Sequence, residues 1–421
     1  MTATEERVEG GAIGRPVRRK EDARLLTGKT NWTDNIQLPG TLHMATVRSP
    51  VAHARITNID TSAAAAAEGV VHVFTGADFP ELPGSTCVWP VTDDIQTATM
   101  PAICKDEVKF AGDVVAIVLA TDRYAAYDAA SMVDVDYEPL PVVVDMEDAL
   151  KDGAPLVHAA FGTNASYTAK MPCGDYAAVS AKADRIVKRR FINQRLIPNT
   201  MEPRSVVAAP AVGMSDEITI WSATQIPHVL RVLLALLTGI PENHIRVVAP
   251  DVGGGFGAKL QINREEVLAL VLAKQTGRPI KWTESRSEHF VSTHHGRDQI
   301  QDIELAVTND GTILGMKVDL LADMGAYLQI ITPGTPLLGM FMYSGIYKME
   351  ALDFTCTGVY TNKTPTDAYR GAGRPEATYA IERIVDEAAA ELGMEPLEFR
   401  KKNWIKHEEF PYTQIAGLTY D

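Results

Sequence analysis

Two glycine-rich segments carry the residue types best suited to holding an anionic ligand. The first reads Gly253-Gly254-Gly255-Phe256-Gly257-Ala258-Lys259 and the second Ala368-Tyr369-Arg370-Gly371-Ala372-Gly373-Arg374. Glycine lets backbone N–H groups approach a ligand with no Cβ in the way. Two arginines beside two glycines suit an anion gripped by amides and guanidinium groups together. The first segment is not a Walker A loop, because Ala258 precedes Lys259 and no Ser or Thr follows it. It matches a dinucleotide fingerprint only in part, through Gly253, Gly255 and Ala258. That fingerprint opens the first β-α unit of its domain and has an acidic residue about 20 positions on, neither of which holds here. A tight structural turn remains open for the first loop, and a plain helix start with surface ion pairs for the second.

Certain elements must place these loops. Ile245 to Ala249 reads as a strand running into the first loop, and Glu265 to Lys274 as the helix after it. Ala377 to Leu392 reads as an amphipathic helix after the second loop. Pro227 to Gly239 reads as a helix closed by its last glycine. Asn309-Asp310-Gly311, between Ile300 to Val307 and Ile313 to Leu321, signals a hairpin. Earlier in the chain, Val114 to Leu119 reads as a buried strand. With Arg123 to Met132 and Val133 to Tyr137 it predicts a β-α-β unit. The expected order is an extended arm over 1–40, an α+β domain over 41–145, a linker over 146–185 rich in Gly, Pro, Asp and Ala, and a second domain over 186–421.

The 421 residues suffice for two or three domains, and 46% hydrophobic with 22% charged residues is ordinary for a globular protein. A net charge of −14 argues against nucleic acid or an anionic membrane as partner. No apolar window is long enough for a membrane span, and no signal peptide is visible, so a cytoplasmic location is expected. Cys87, Cys104, Cys173 and Cys356 are scattered, which excludes a local zinc ribbon or iron–sulfur loop. They read as free thiols, and any cysteine-held redox centre would lie on another chain.

Together with Thr224-Gln225-Ile226-Pro227-His228, the two loops resemble the large, molybdenum-binding subunit of the xanthine oxidase superfamily. The likeness is greatest to the aldehyde oxidoreductase-like and carbon monoxide dehydrogenase-like large chains, and it covers nearly the whole sequence. Arg48-Ser49-Pro50-Val51-Ala52-His53-Ala54-Arg55-Ile56, Thr75-Gly76-Ala77-Asp78 and Phe110-Ala111-Gly112-Asp113 are similar to that family's α/β hammerhead domain. Met201-Glu202-Pro203-Arg204, Gln225 and Gly255-Phe256-Gly257 are similar to its first molybdopterin-binding domain. The implied fold is α+β, a hammerhead domain followed by that cofactor domain.

The resemblance implies molybdenum on a pterin dithiolene, as the cytosine dinucleotide in bacterial members. It implies FAD on a medium subunit and a 2Fe-2S cluster on a small subunit. Gln225 would hydrogen-bond a metal oxo ligand, Gly255, Phe256 and Gly257 would approach the metal and pterin through their amides, and Arg370 would flank the cofactor. No side chain here would ligate the metal directly. Leu260, Gly371 and Ala372 would line the substrate pocket. In carbon monoxide dehydrogenases a cysteine at the position of Gly371 holds copper; in purine-oxidising relatives a glutamate stands at Leu260 and an aromatic at Ala372. These departures point to hydroxylation of an aldehyde or N-heterocycle with water as oxygen source.

No catalytic residue is assigned, because the family's glutamate base lies near the end of a longer large subunit and nothing here matches its motif. A separate chain carrying the second molybdopterin-binding domain is therefore a possible partner. The alternatives are a carbon monoxide dehydrogenase-like chain, a scaffold that kept the fold without the cofactor, and a nucleotide-binding protein. Among other residues, His294, His295 and Asp298 could be metal ligands, but adjacent histidines on a strand point to opposite faces. Glu202 and Arg204 read equally as pocket wall or structural ion pair, Asp367 as loop scaffolding and Cys356 as core.

Overall fold

The computed structural model describes residues 13–213 and 216–421. Residues 1–12 of the expected arm lie outside the described residues. The fold is α+β, built on two large sheets with helices packed against them. The first sheet has seven strands, in the order Ile245–Val248, Ile218–Ser222, Ser205–Pro210, Ile280–Thr283, Leu42–Arg48, Val114–Ala120, Val70–Thr75. The second has five, in the order Arg185–Asn193, Gln299–Val307, Ile313–Gly325, Ala351–Tyr360, Ala165–Cys173. Val114–Ala120 is buried at every position, so the sequence shows an unbroken apolar run in place of alternation.

The structure corrects two expectations about organisation. The segment 146–185 is not a linker. It supplies strand Ala165–Cys173, which pairs antiparallel with Ala351–Tyr360. Its turn-rich composition marks a folded loop that the buried Asn164 organises, donating to the carbonyls of Ala149 and Pro155 and accepting from the amide of Val157. The expected β-α-β unit also differs. Val114–Ala120 lies in the seven-stranded sheet, whereas Asp134–Pro139 pairs with Ala54–Asp60 in a three-stranded one. Leu42 and His43 pair parallel with Ile280 and Lys281, so one sheet runs through both sequence blocks. Part of the arm is also fixed: Asn31 donates its amide to Asp251, and Lys281 Nζ donates to the carbonyls of Asp34 and Ile36.

Helix Arg264–Thr276 is the element that anchors the first glycine loop. A capping box of Asn263 and Glu266 starts it, and Gly277 at φ +67° ends it. Its first turn is charged yet buried, which is tolerated because Arg264 and Glu265 are ion-paired and Glu266 accepts from Ser222 Oγ and the Asn263 amide. Arg264 meets Asp113 at 2.9 Å, and Glu265 meets Arg48 at 2.7 Å and Arg204 at 3.1 Å. Arg204 also holds Glu284 at 2.6 Å, and Glu284 accepts from His289. Burial would raise the Glu265 carboxyl, but Arg204 and Arg48 outweigh it and hold the group at about 2. This buried ionic chain ties strand Leu42–Arg48 to the segments flanking the loop.

Candidate functional site

The first loop leaves strand Ile245–Val248 and spans the gap to helix Arg264–Thr276. The helix begins seven residues past Gly257, so the loop glycines do not cap it. That separates the loop from phosphate loops, in which the glycines lead straight into a helix N-terminus. Within the loop the amides are divided among fixed partners. Gly253 N–H donates to Glu202 Oε2 at 2.7 Å. Gly257 and Lys259 N–H both donate to Gln225 Oε1, at 3.0 and 3.4 Å. Ala258 and Leu260 donate to the carbonyls of Gly255 and Gly257. Three consecutive amides, those of Gly254, Gly255 and Phe256, donate to no acceptor among the described residues.

Gln225 sits just before helix Pro227–Thr238, and its backbone N–H donates to the Lys259 carbonyl at 2.9 Å. Because Oε1 is engaged by two loop amides, the side chain is fixed with Nε2 left as a donor toward solvent. A Cβ at Gly255 would stand 2.3 Å from Gln225 Oε1, so only glycine lets the glutamine lie against the loop. Phe256 is 44% exposed and carries φ +53°, a left-handed conformation uncommon outside glycine. The open amides, the oriented Nε2 and the absence of Cβ atoms fit a group bearing oxo or other anionic oxygens.

The second loop docks directly on the first. Arg370 N–H donates to the Phe256 carbonyl at 2.9 Å, and its guanidinium lies over the Phe256 ring at 5.7 Å. A Cβ at Gly257, where φ is +105°, would stand 1.9 Å from the Ala368 carbonyl oxygen. Gly373 at φ +83° packs as tightly against Thr335 and opens helix Arg374–Leu392. Gln225, Gly255, Phe256 and Arg370 are therefore brought together on one surface, whereas Gly257 is buried beneath it and its amide, expected to meet the cofactor, is spent on Gln225 Oε1. Leu260 and Ala372 hydrogen-bond within their own loops, to Gly257 and Tyr369, and Gly371 is exposed at φ +103°.

Two supporting groups went unnoticed in the sequence or were left undecided. Arg297 donates to the carbonyls of Tyr369 and Arg370, both at 2.9 Å, pairs with Glu376 and covers the Tyr369 ring at 4.5 Å. A lone arginine outside any motif gave no signal of this. Glu202 proves to be a structural partner, with Oε2 2.7 Å from Lys259 Nζ. Arg204 is buried in the ionic chain and does not face the loop surface. Asp367 is scaffolding: it accepts from Ile331 N–H, Thr332 Oγ1 and Ala368 N–H. Burial pushes its carboxyl up to about 6 against those hydrogen bonds. His294 Nε2 donates to the Ala368 carbonyl at 2.9 Å, and His295 lies beside Arg195. Among the described residues no cluster of His, Cys, Asp or Glu could hold a metal ion.

Comparison with known proteins decides the family. Residues 157–404 match the molybdopterin cofactor-binding domain, and residues 27–141 match the aldehyde oxidase and xanthine dehydrogenase a/b hammerhead domain. The chain belongs to the molybdopterin cofactor-binding family. It is 41% identical over 421 residues to the carbon monoxide dehydrogenase large chain of Hydrogenophaga pseudoflava, covering 96% of this chain and 51% of that one. It is 38% identical to the 6-hydroxypseudooxynicotine dehydrogenase complex subunit gamma of Paenarthrobacter nicotinovorans, covering 97% and 52%. The crystal structure of quinoline 2-oxidoreductase from Pseudomonas putida 86 superposes with a TM-score of 0.90 at 35% identity, covering 97% of this chain and 52% of that one. The chain thus spans about half the length of these relatives. The hammerhead match and the cofactor-domain match meet within the seven-stranded sheet, where Leu42 and His43 pair with Ile280 and Lys281.

Proposed function

We propose that this chain is the N-terminal part of the cofactor-binding large subunit of a molybdenum hydroxylase. The single observation that carries the reading is the surface of open amides at Gly254, Gly255 and Phe256, beside the free Nε2 of Gln225. When bound, molybdenum on its pterin supplies oxygen-atom transfer from water and accepts the two electrons of the reaction. The chain's own residues would hold it: the amides and Gln225 on the metal-ligand side, Arg370 alongside. Each is a neutral or cationic donor, so oxo charge is stabilised without a competing ligand.

The proposed substrate is an aldehyde or an N-heterocycle, with Leu260, Gly371 and Ala372 as pocket walls. The relatives' names, which include a dehydrogenase of a hydroxylated nicotine derivative and a quinoline oxidoreductase, support a heterocycle. The carbon monoxide reading rests on the Hydrogenophaga relative, and the geometry of the second loop weighs against it. A Cβ at Gly371 would meet Pro375 Cγ at 2.4 Å, and the backbone there stands at φ +103°. A copper-holding cysteine does not fit this loop.

The finer cofactor form is proposed as the cytosine dinucleotide. FAD and the 2Fe-2S cluster are assigned to partner subunits, in keeping with relatives named as parts of complexes. The catalytic base is assigned to the portion of those relatives that this chain does not span. No helix among the described residues is long and apolar enough to cross a membrane, and all four cysteines are free thiols, which suits the proposed cytoplasmic location. The test is metal and pterin analysis of the assembly purified from its own cells. About one molybdenum per chain is expected on this stoichiometry; an intact assembly without molybdenum or pterin refutes the proposal.

A further inference from the structure

We propose that Lys259 serves as the counter-charge behind the first glycine loop, cancelling Glu202 so that the loop's open amides can receive an anionic cofactor group. The inference rests on the cofactor reading above and concerns how this chain makes that site electrostatically possible. Glu202 lies directly against the loop: a Cβ at Gly253 would stand 2.5 Å from its Cβ. Its Oε2 accepts from Gly253 N–H and from Lys259 Nζ, both at 2.7 Å. One carboxylate oxygen therefore closes a ring over residues 253–259, and the three open amides lie within that ring. The other oxygen, Oε1, is buried with no hydrogen-bond partner.

The carboxylate earns its place mechanically, since a charged acceptor holds the Gly253 amide more firmly than a neutral one. Its cost is a negative charge within a few ångströms of the surface that must take an anion. In a partly desolvated site that repulsion is large. Lys259 removes it. The lysine side chain is 0% exposed, and its ammonium is committed to Glu202. It is therefore unable to reach a ligand as a phosphate-loop lysine does. Arg204 offers no substitute, because Glu284 and Glu265 occupy it.

The test uses the assembly purified from its own cells, carrying Lys259→Met, Lys259→Arg, Glu202→Gln, or Lys259→Met with Glu202→Gln. Molybdenum and pterin per chain are measured beside the thermal midpoint of the same samples. Lys259→Met is expected to lower molybdenum content about tenfold, because it strands the Glu202 charge behind the loop. Lys259→Arg keeps the charge and is expected to stay loaded. The double variant carries neither charge and is expected to recover to within about twofold of wild type. A merely structural lysine would show the opposite pattern, with the double variant as depleted as the single one. That result, or full loading of Lys259→Met, overturns the inference while leaving the cofactor reading intact. If Lys259→Met fails to assemble, the double variant still decides: an assembled but empty double variant overturns the proposal. A wild-type assembly without molybdenum would overturn the cofactor reading, and this inference with it.

Discussion

Replacing Gly257 with alanine tests the junction of the two loops most directly. The added Cβ would lie 1.9 Å from the Ala368 carbonyl oxygen, at a residue with φ +105°. Two costs combine. A side chain held in a left-handed conformation costs about 1–2 kcal/mol. Pushing apart two packed backbones costs about 1–3 kcal/mol more. Gly277→Ala is the matched control, since Gly277 has φ +67° and nothing within 4 Å of its Cβ position. It should show only the first cost. For 421 residues the unfolding entropy makes 1 kcal/mol worth about 1 °C in the thermal midpoint. Calorimetry of the assembly should therefore give a drop of about 2–5 °C for Gly257→Ala, against about 1–2 °C for Gly277→Ala. Gly257→Ala should also lose molybdenum, because the shift displaces the Arg370 N–H from the Phe256 carbonyl. Equal midpoints and equal metal content for the two variants would refute the argument that the loops interlock through a missing Cβ.

Gln225→Leu removes the acceptor of two loop amides and the free Nε2 donor; it should cost about 1–3 kcal/mol and lower molybdenum content, and a fully loaded variant would remove Gln225 from the site. Gly371→Cys should recruit no copper on metal analysis, whereas Gly371→Cys with Pro375→Ala relieves the side-chain clash and should fold better than the single variant. Glu265, held at about 2 against an ordinary 4.5, contributes about 3 kcal/mol that is present above pH 4.5 and lost as pH falls toward 2. The thermal midpoint should fall over that window, and Glu265→Gln should flatten the fall; an unchanged slope would refute the assignment. Asp367 acts with the opposite sign. Its carboxyl, raised to about 6, favours folding most when protonated near pH 4 and progressively less as pH rises through 6. The midpoint of Asp367→Asn should lack that component in a titration from pH 4 to 7.

Much of the site was legible in the sequence because its chemistry depends on local backbone freedom. Gly255, Gly257 and Gly371 stand where a Cβ is excluded or φ is positive, and such positions announce themselves as glycine-rich runs. Gln225 was legible only through the resemblance to a family, since one glutamine before a helix says nothing by itself. The sequence could not show that its Oε1 is spent on Gly257 and Lys259, which is what turns Nε2 outward. The apolar run Val114 to Leu119 and the amphipathic stretch Ala377 to Leu392 were equally plain, because full burial in a sheet leaves an unbroken apolar run and one buried helix face imposes a period.

The sequence by itself determined the residue types of an anion-holding surface, the strands and helices beside it, and an acidic exterior. Tertiary structure decided which partners those residues take. It joined Leu42–Arg48 to Ile280–Thr283 across more than two hundred residues, and drew 146–185 into a sheet where composition suggested a linker. It placed Arg297 under the second loop and Glu202 against Lys259. The physical reason is common to all of these. Local patterns record what one segment needs, but hydrogen bonds and ion pairs between distant segments depend on which surfaces meet, and a buried charge finds its partner only once the chain has folded around it.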